Sequence, residues 1–318
     1  MKAVLTMVAQ RIALGLLTLL VVSALVFISV EFLPGDVAEQ ILGQSATPET
    51  LAALRDQLGL NTPPLQRYVS WLGGIFQGDF GRSVISQRPI TDLLADRLGN
   101  TLFLALLATL ISVPLAVGLG ILAALMRNSW IDKTINVGAL TAISFPEYFV
   151  AYGLILIFSV KLGWLPSISV ITGSVPIAER VTLTLLPSLT LTMIVTAHMM
   201  RMTRASIINL LSLPYIEMAR LKGASQSRVV VVHALPNAIA PIVNVVALNI
   251  AYMIAGVVIV EVVFVYPGLG QLLVDSVAKR DVTVVQAACL IFASAFIIFN
   301  LVADVISIVS NPRLLHRK

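Results

Sequence analysis

Few residues of this sequence have side chains and spacings that suit catalysis. The three histidines, His198, His233 and His316, lie in different segments, so their spacing does not match a metal site. The sequence contains no G-x-x-x-x-G-K-[S/T] nucleotide loop, no H-E-x-x-H zinc motif and no G-x-S-x-G nucleophile motif. A G-x-G-x-x-A triplet at 118–123 imitates a dinucleotide-binding pattern, but it lies in an apolar run. We therefore predict that this chain binds no cofactor and no metal.

The remaining candidates are polar groups inside or beside long apolar runs. Glu147 lies near the middle of one run, beside Pro146, and a charged side chain costs about 2.5–3.5 kcal/mol at the centre of a bilayer. It is therefore expected to line a translocation path, or to be protonated or bonded to a neighbouring helix, while Pro146 marks a kink. Asn300 and Asp304 share one helix face and are candidates for helix packing or a gate. Glu261 is a candidate for the same roles, or for contact with lipid headgroups.

The composition explains why apolar runs dominate. Hydrophobic residues make up 58% of the 318 residues and charged residues only 12%, against about 25% charged in an average soluble domain. A soluble fold has too little polar surface to cover so much apolar area, and disordered chains are poor in apolar residues. Because helices satisfy their own backbone groups in lipid, we predict an all-α integral membrane protein.

Six apolar stretches are long enough to cross a bilayer, since a membrane helix needs about 20 residues with few charges. The stretch between Arg97 and Arg127, for example, contains 29 uncharged residues. The first stretch is too long for the apolar core of a signal peptide, and no A-x-A site follows it, so we predict a retained helix. The predicted transmembrane helices are residues 12–32, 100–126, 134–160, 182–203, 238–262 and 284–308.

Lysine and arginine predict the orientation of these helices. With both termini in the cytoplasm, twelve basic residues lie inside and four lie in the short outer loops. Cytoplasmic loops are enriched in basic residues, so an N-in, C-in topology is favoured. The same distribution argues against nucleic-acid binding, because the net charge of +5 is spread over helix ends and forms no patch.

The spans divide the chain into three segments. Residues 1–33 contain the cytoplasmic N-terminus and the first helix, residues 34–98 face outward, and residues 99–318 form a five-helix core that includes the cytoplasmic loop 204–237. In the outward segment we expect two short amphipathic helices, which begin at Thr47-Pro48, with Leu51, Leu54 and Leu58 on the apolar face, and at Thr62-Pro63, with Leu65, Tyr68, Val69 and Leu72.

The cytoplasmic loop predicts a hairpin of two helices. Ser212 is expected to cap a helix that begins at Leu213-Pro214, and Gly223 to end it in a left-handed turn. Ser225 is expected to cap a second helix, which Pro236 limits. The first helix is too small to fold alone, so the loop either is a plain connection or binds a partner through its apolar side chains Ile216, Ala219 and Leu221.

The hairpin resembles the EAA loop of permease subunits of bacterial ABC importers. It reads E-M-A-R-L-K-G at 217–223 and, nine residues later, H-A-L-P at 233–236. The family pattern is E-A-A, three residues, Gly, nine residues and I-x-L-P. Met218 stands at the position of an Ala in this pattern, and His233 stands at the position of the Ile. A histidine at this position resembles the oligopeptide/dipeptide (Opp/Dpp-type) branch of the family. The positions that match the pattern are Glu217, Ala219, Gly223, Leu235 and Pro236.

Further segments resemble the same branch and extend over nearly the whole chain. The long outward segment after the first span is similar to the B-type subunit of these systems. The order and spacing of the segments are more specific than any one of them. They are L-P-G-D at 33–36, G-D-F-G-R-S at 78–83, R-P at 88–89, S-W-I-D-K at 129–133, L-G-W-L-P at 162–166, R-x-T-R-x-S at 201–206, E-V-V-F-V-Y-P-G-L-G at 261–270, R-D at 280–281 and V-Q at 285–286.

The resemblance implies a type I-like importer permease in the bacterial cytoplasmic (inner) membrane. It implies a heterodimer with a second homologous permease, two cytoplasmic ATPases that hold ATP and Mg²⁺, and an extracytoplasmic substrate-binding protein. It implies import of di- or oligopeptides, or alternatively of nickel complexes, glutathione, opines or sugars. The segment 213–222 would be a coupling helix that docks on an ATPase, and the implied coupling residues are Glu217, Met218, Ala219, Arg220, Gly223, Leu235 and Pro236.

Two other classes of function stay open on the residues alone. An ion-coupled secondary transporter could use Glu147 and Asp304 as proton carriers, although the internal repeat of many such carriers is not obvious here. An intramembrane enzyme would need a paired nucleophile and base, or a metal set, at membrane depth, and the sequence offers neither.

Overall fold

The computed structural model describes residues 2–32, 37–171 and 175–309, and the L-P-G-D motif at 33–36 lies outside these ranges. Regular structure within them is helical. The helices are, in chain order, α1 (Lys2–Glu31), α2 (Val37–Leu42), α3 (Pro48–Gln57), α4 (Pro64–Phe76), α5 (Ile90–Leu125), α6 (Trp130–Ser144), α7 (Glu147–Leu154), α8 (Ile177–Leu211), α9 (Pro214–Leu221), α10 (Gln226–Arg228), α11 (Leu235–Val263), α12 (Leu269–Lys279) and α13 (Val282–Val309).

Five helices of the described part are long and apolar enough to cross a membrane: α1, α5, α8, α11 with the turn before it, and α13. A bent pair, α6 and α7, provides the sixth span if its two halves are counted together. The all-α membrane fold is therefore confirmed, and five of the six predicted spans overlap single long helices. The helices also continue past the apolar runs, because a run marks only the lipid-facing part; α8, for example, ends at Leu211 instead of near residue 203.

The third predicted span is not one helix, and that prediction was wrong. α6 and the α7 segment that continues to Lys161 are bent by 105° at the break between Ser144 and Glu147. Phe145 is extended, with φ −92° and ψ 136°, as expected for a residue that precedes proline. Pro146 therefore starts a new helix and does not merely kink an existing one.

The chain divides into two compact units that do not follow its linear order. The first contains Leu102–Tyr266 together with the segments up to Ala13 and from Ala295 onward, and the second contains Leu14–Thr101 and Pro267–Ser294. In the first unit, Leu104, Leu186, Met199 and other buried apolar residues form one core. In the second unit, Ile90 packs with α12 and the beginning of α13.

The segment predicted to face outward contains both predicted short helices. Thr47 caps α3 through a reciprocal pair of hydrogen bonds with Thr50, as its sequence predicts. α4 begins at Pro64. Its predicted apolar face is only partly right, because Tyr68 packs on Phe27 of α1 with ring centroids 5.2 Å apart while Leu65 is exposed.

Candidate functional site

The hairpin in the loop 204–237 turns at the glycine, as its sequence predicts. Gly223 has a φ of +83°, its N–H donates to the carbonyl of Arg220 (2.8 Å), and the N–H of Ala224 donates to the carbonyl of Ala219 (3.2 Å). This pair of bonds is a Schellman motif, in which a left-handed residue ends a helix without a Cβ penalty. On the other side of the turn, Oγ of Ser225 caps α10 by accepting from the N–H of Arg228.

The start of the hairpin differs from its prediction. The hydroxyl of Ser212 donates back to the carbonyl of Asn209 (2.7 Å), so it does not cap α9. Leu213 takes the cap position in an extended conformation, and Pro214 occupies the first turn, where its missing N–H has no cost. The break after α8 thus depends on proline and not on a serine cap.

α9 has a buried side and an exposed side. Ile216 is 0% exposed and belongs to a cluster with Ile207, Leu211, Val229 and Val230, so its predicted need for a partner is met within the chain. This cluster fixes α9 against the end of α8 and against the helix that follows. The opposite side leaves large side chains in the open: Met218 is 55% exposed and Leu221 77%.

The exposed side also carries charge. Glu217, Arg220 and Lys222 are exposed. Within the described part of the chain, none of these three side chains forms an ion pair. A helix with a fixed inner face and an open outer face of mixed apolar and charged groups has the chemistry of a docking element.

Pro236 does not limit the second helix, and that prediction was wrong. α10, a π-helical turn at Val229–Ala234 and α11 follow one another without a gap up to Val263. Proline clashes with the carbonyl four residues before it in a regular α-helix, and the wider π turn directly before Pro236 relieves this conflict. The carbonyl of His233 accepts from Nδ2 of Asn237 (2.9 Å). Leu235 packs on the hairpin cluster, whereas Pro236 is exposed.

A buried ion pair lies near the hairpin and joins α6 to α8. Nε of Arg204 lies 2.6 Å from Oδ1 of Asp132, and one of its terminal nitrogens donates to Oδ2 (2.7 Å). Asp132 is 3% exposed and also accepts from the N–H of Asn128 (3.0 Å) and from Nδ2 of Asn136 (2.7 Å). The bidentate pair and its extra donors hold the start of α6 to the C-terminal part of α8.

Glu147 has the opposite environment. Its Oε2 is buried and has no hydrogen-bond partner among the described residues. Its Oε1 lies 2.9 Å from the place where a β-carbon on Gly256 would be, so a side chain at this position would displace the carboxylate from its present place. Glu147 lines a cavity of about 500 Å³ between α7, α8 and α11, whose other polar residues are His198, Asn249 and Tyr252.

The other polar candidates take part in helix contacts or local bonds. Asp304 forms an ion pair with Arg11 (2.9 Å), which joins α13 to α1. Asn300 donates to the carbonyl of Phe296 in its own helix (2.8 Å). Glu261 is 0% exposed, so it does not reach headgroups as one reading of the sequence suggested. In the described ranges, no group of three or more His, Cys, Asp or Glu side chains could hold a metal ion.

Comparison with known proteins assigns the class. Residues 116–316 match the family described as the inner membrane component of binding-protein-dependent transport systems, and residues 4–105 match its N-terminal part. The glutathione transport system permease proteins GsiC of Shigella flexneri and Escherichia coli are 42% identical to this chain over 305 residues, which is 96% of this chain and 97% of each relative. The chain belongs to this family of importer permeases.

The permease is therefore a multi-pass protein of the bacterial inner membrane and the pore subunit of an ABC importer, which works with ATPase subunits and a substrate-binding protein. This confirms the resemblance read from the hairpin and its companion motifs. The family is a transport family, and it excludes the two alternatives of an ion-coupled carrier and an intramembrane enzyme.

Two features of the permease escaped the sequence reasoning. Neither the count of basic residues nor the motif at 201–206 predicted that Arg204 pairs with Asp132 of the motif at 129–133. In the second compact unit, Asp281 accepts from Oγ of Ser83 and from the N–H of Val84 (3.1 Å), which brings the distant motifs at 78–83 and 280–281 together. Co-occurrence of the motifs was the available signal, but a motif alone does not show which partner it meets.

Proposed function

We propose that α9 and the turn at Gly223 form the surface by which this permease binds one of its ATPase subunits. The observation that carries the proposal is the division of α9 into a buried side around Ile216 and an exposed side around Met218 and Leu221. A short helix that is fixed on one face and open on the other suits insertion into a groove of a partner.

The side chains of α9 have different proposed roles in docking. Met218 is flexible and polarizable, so it adapts to an irregular groove. Glu217 and Arg220 are exposed and supply charge-assisted hydrogen bonds, which fix the register of the helix. Gly223 sets the direction of the chain, and the backbone of Ala219 and the side chain of Leu235 hold the hairpin in place.

The helices on both sides of α9 suit the transmission of movement. α8 ends just before α9, and the helix that begins at Gln226 continues to Val263, so a displaced α9 moves two long rigid elements. The ion pair of Asp132 and Arg204 extends this assembly to α6. In this proposal ATPase closure changes the pore through α6, α8 and α11 together.

We also propose the N-in, C-in orientation. The Arg11–Asp304 ion pair supports it, because it joins the N-terminal part of α1 to the C-terminal part of α13 and so places both ends on one side. The excess of basic residues in loops on that same side makes it the cytoplasmic side. α9 then faces the cytoplasm, where the ATPases are.

A second, homologous permease is proposed to complete the pore, and ATP and Mg²⁺ to be held by the ATPase subunits and not by this chain. The cavity beside Glu147 supports a two-chain pore, because Tyr252 in its wall is 64% exposed on this chain and a second permease subunit could cover it. The proposed cargo is a short peptide, glutathione included, and the names of the glutathione permeases support that choice over nickel complexes, opines or sugars.

Reversal of one charge tests the docking surface. In cells that express the permease with its partner subunits, Glu217→Lys is expected to abolish uptake of labelled substrate and co-purification of the ATPase, because it places a cation where the groove accepts a carboxylate. Membrane insertion is expected to stay normal, since the Glu217 side chain is exposed and forms no ion pair within the described residues. Glu49→Lys, on the exposed face of α3, is the matched control. Normal uptake and co-purification in Glu217→Lys would contradict the proposal.

A further inference from the structure

We infer that the cavity beside Glu147 binds the primary ammonium group of a peptide-like substrate, with the Glu147 carboxylate as the ligand. This inference rests on the proposed function, which makes the permease a path for short peptides. It adds to that function a specific contact and a requirement for a free amine on the cargo.

The position of the carboxylate is the first argument. Oε2 of Glu147 is buried without a hydrogen-bond partner in the described ranges, although a buried polar atom normally has one. The absence of a side chain at Gly256 is what admits the carboxylate to this place. A carboxylate that the fold accommodates but does not satisfy is available for a ligand.

The walls of the cavity are the second argument. Its volume of about 500 Å³ lies in the range of sites for small ligands. Apolar side chains such as Val195 of α8 and Val245 of α11 form much of the lining, and a low-dielectric wall strengthens the attraction between opposite charges. No lysine or arginine lies among the lining residues, so His198 is the one lining side chain besides the cargo that could supply a positive charge to Glu147.

The third argument is that the polar neighbours of Glu147 indicate that the cavity faces the pore and not the lipid. His198 and Tyr252 line the same cavity and are exposed on this chain, and Asn249 also lines it. Four polar groups on one face within membrane-spanning helices are costly against lipid and are typical of a polar path. α8 and α11, which carry three of these groups, are also the helices that lead to α9.

The chemistry of the ligand follows from the donor count. A primary ammonium offers three N–H donors on a point charge, so it can satisfy Oε2 and still bond a second acceptor such as the Asn249 or Tyr252 oxygen. The α-amino group of a peptide N-terminus and that of glutathione share this chemistry. A bound metal ion is disfavoured, because no cluster of three metal-binding side chains exists in the described part of the chain.

Protection of an introduced cysteine tests occupancy directly and without the binding protein. In a Cys289→Ser background, Ile194→Cys places the one thiol of the chain in the cavity wall. Alanyl-alanine is expected to slow its alkylation by a maleimide in membrane vesicles that hold the permease with its partner subunits. N-acetyl-alanyl-alanine is expected to give no protection, because it lacks the cation. S-methylglutathione, which has an amine but no thiol, shows whether the site also accepts glutathione.

The role of the carboxylate is tested in the same assay. Glu147→Gln is expected to raise the alanyl-alanine concentration for half-maximal protection by about tenfold or more. Gly256→Ala is expected to do the same without a change of charge, because its methyl group would displace the carboxylate. Gly153→Ala is the control, since nothing lies within 4 Å of its added β-carbon.

Several outcomes would overturn the inference: equal protection by the acetylated peptide, no protection by either amine probe, or unchanged protection in Glu147→Gln. The Glu217→Lys variant separates this inference from the proposed function. If protection by alanyl-alanine is observed while Glu217→Lys still imports substrate, the docking proposal fails and the amine site stands.

Discussion

Two carboxylates in the same compact unit of this permease, Asp132 and Glu147, differ in their partners. Asp132 receives hydrogen bonds from Arg204, Asn128 and Asn136, so both of its oxygens are satisfied. Glu147 has a buried oxygen without a partner in the described residues. Because an ionised group out of water is tolerated only when it is paired, the fold itself stabilises the carboxylate of Asp132, whereas the proposed partner of Glu147 is the ammonium group of a ligand.

Each carboxylate also depends on a glycine nearby in the fold. Gly120 of α5 approaches α8 so closely that a β-carbon there would lie 2.7 Å from Cβ of Thr203, the neighbour of Arg204. Gly256 of α11 leaves room for Glu147 itself. The first glycine permits two helices to pack, while the second keeps a side chain exposed to a cavity. The two sites should therefore respond differently to mutation.

The largest loss of stability is expected from Asp132→Ala. Removal of this carboxylate leaves the Arg204 guanidinium without its partner and also removes the acceptor for the Asn128 N–H, and breaking a buried pair in this way costs about 3–5 kcal/mol. The measurement is unfolding of the purified permease complex in mixed micelles. We expect much of this cost to disappear in the double variant Asp132→Leu, Arg204→Met, which leaves no charge uncompensated; an equal loss in both would show that the pair itself does not hold α6 to α8.

A smaller loss is expected from Gly120→Ala. The added methyl group would lie 2.9 Å from the carbonyl oxygen of Met200, so backbone has to move, and overpacking of this kind costs about 1–3 kcal/mol. Gly118→Ala, two residues away on the same helix, meets nothing within 4 Å and is the control. Similar unfolding curves for the two variants would contradict the close approach of α5 and α8.

These sites show which parts of the permease its sequence could predict. The apolar runs were found because the bilayer demands about 20 uncharged residues wherever the chain crosses it. Gly223, Thr47 and Ser225 were predicted correctly because turns and caps depend on neighbouring residues in the chain. Asp132 and Arg204 are 72 residues apart, and no local rule pairs them.

The two prolines of the candidate site show a second limit. Pro146 and Pro236 both follow apolar residues, yet a helix breaks by 105° at the first and continues through the second. The difference lies in a π-helical turn before Pro236, which depends on how Val229 and Val230 pack in the hairpin cluster. Packing across helices thus decided the outcome, and a proline in the sequence indicates only that some adjustment is needed.

The smallest effect on stability is expected at the site with the largest expected effect on binding. Glu147→Gln keeps the shape of the side chain and removes a charge that has no partner in the described fold, so the free energy of unfolding should change by less than about 1 kcal/mol, with stabilisation the favoured direction. The check is the same unfolding measurement in mixed micelles that is used for Asp132→Ala. A loss as large as that of Asp132→Ala would mean that Glu147 is a structural residue like Asp132. A stable Glu147→Gln permease that no longer distinguishes a free amine from an acetylated one would instead show that the fold holds this carboxylate for its cargo.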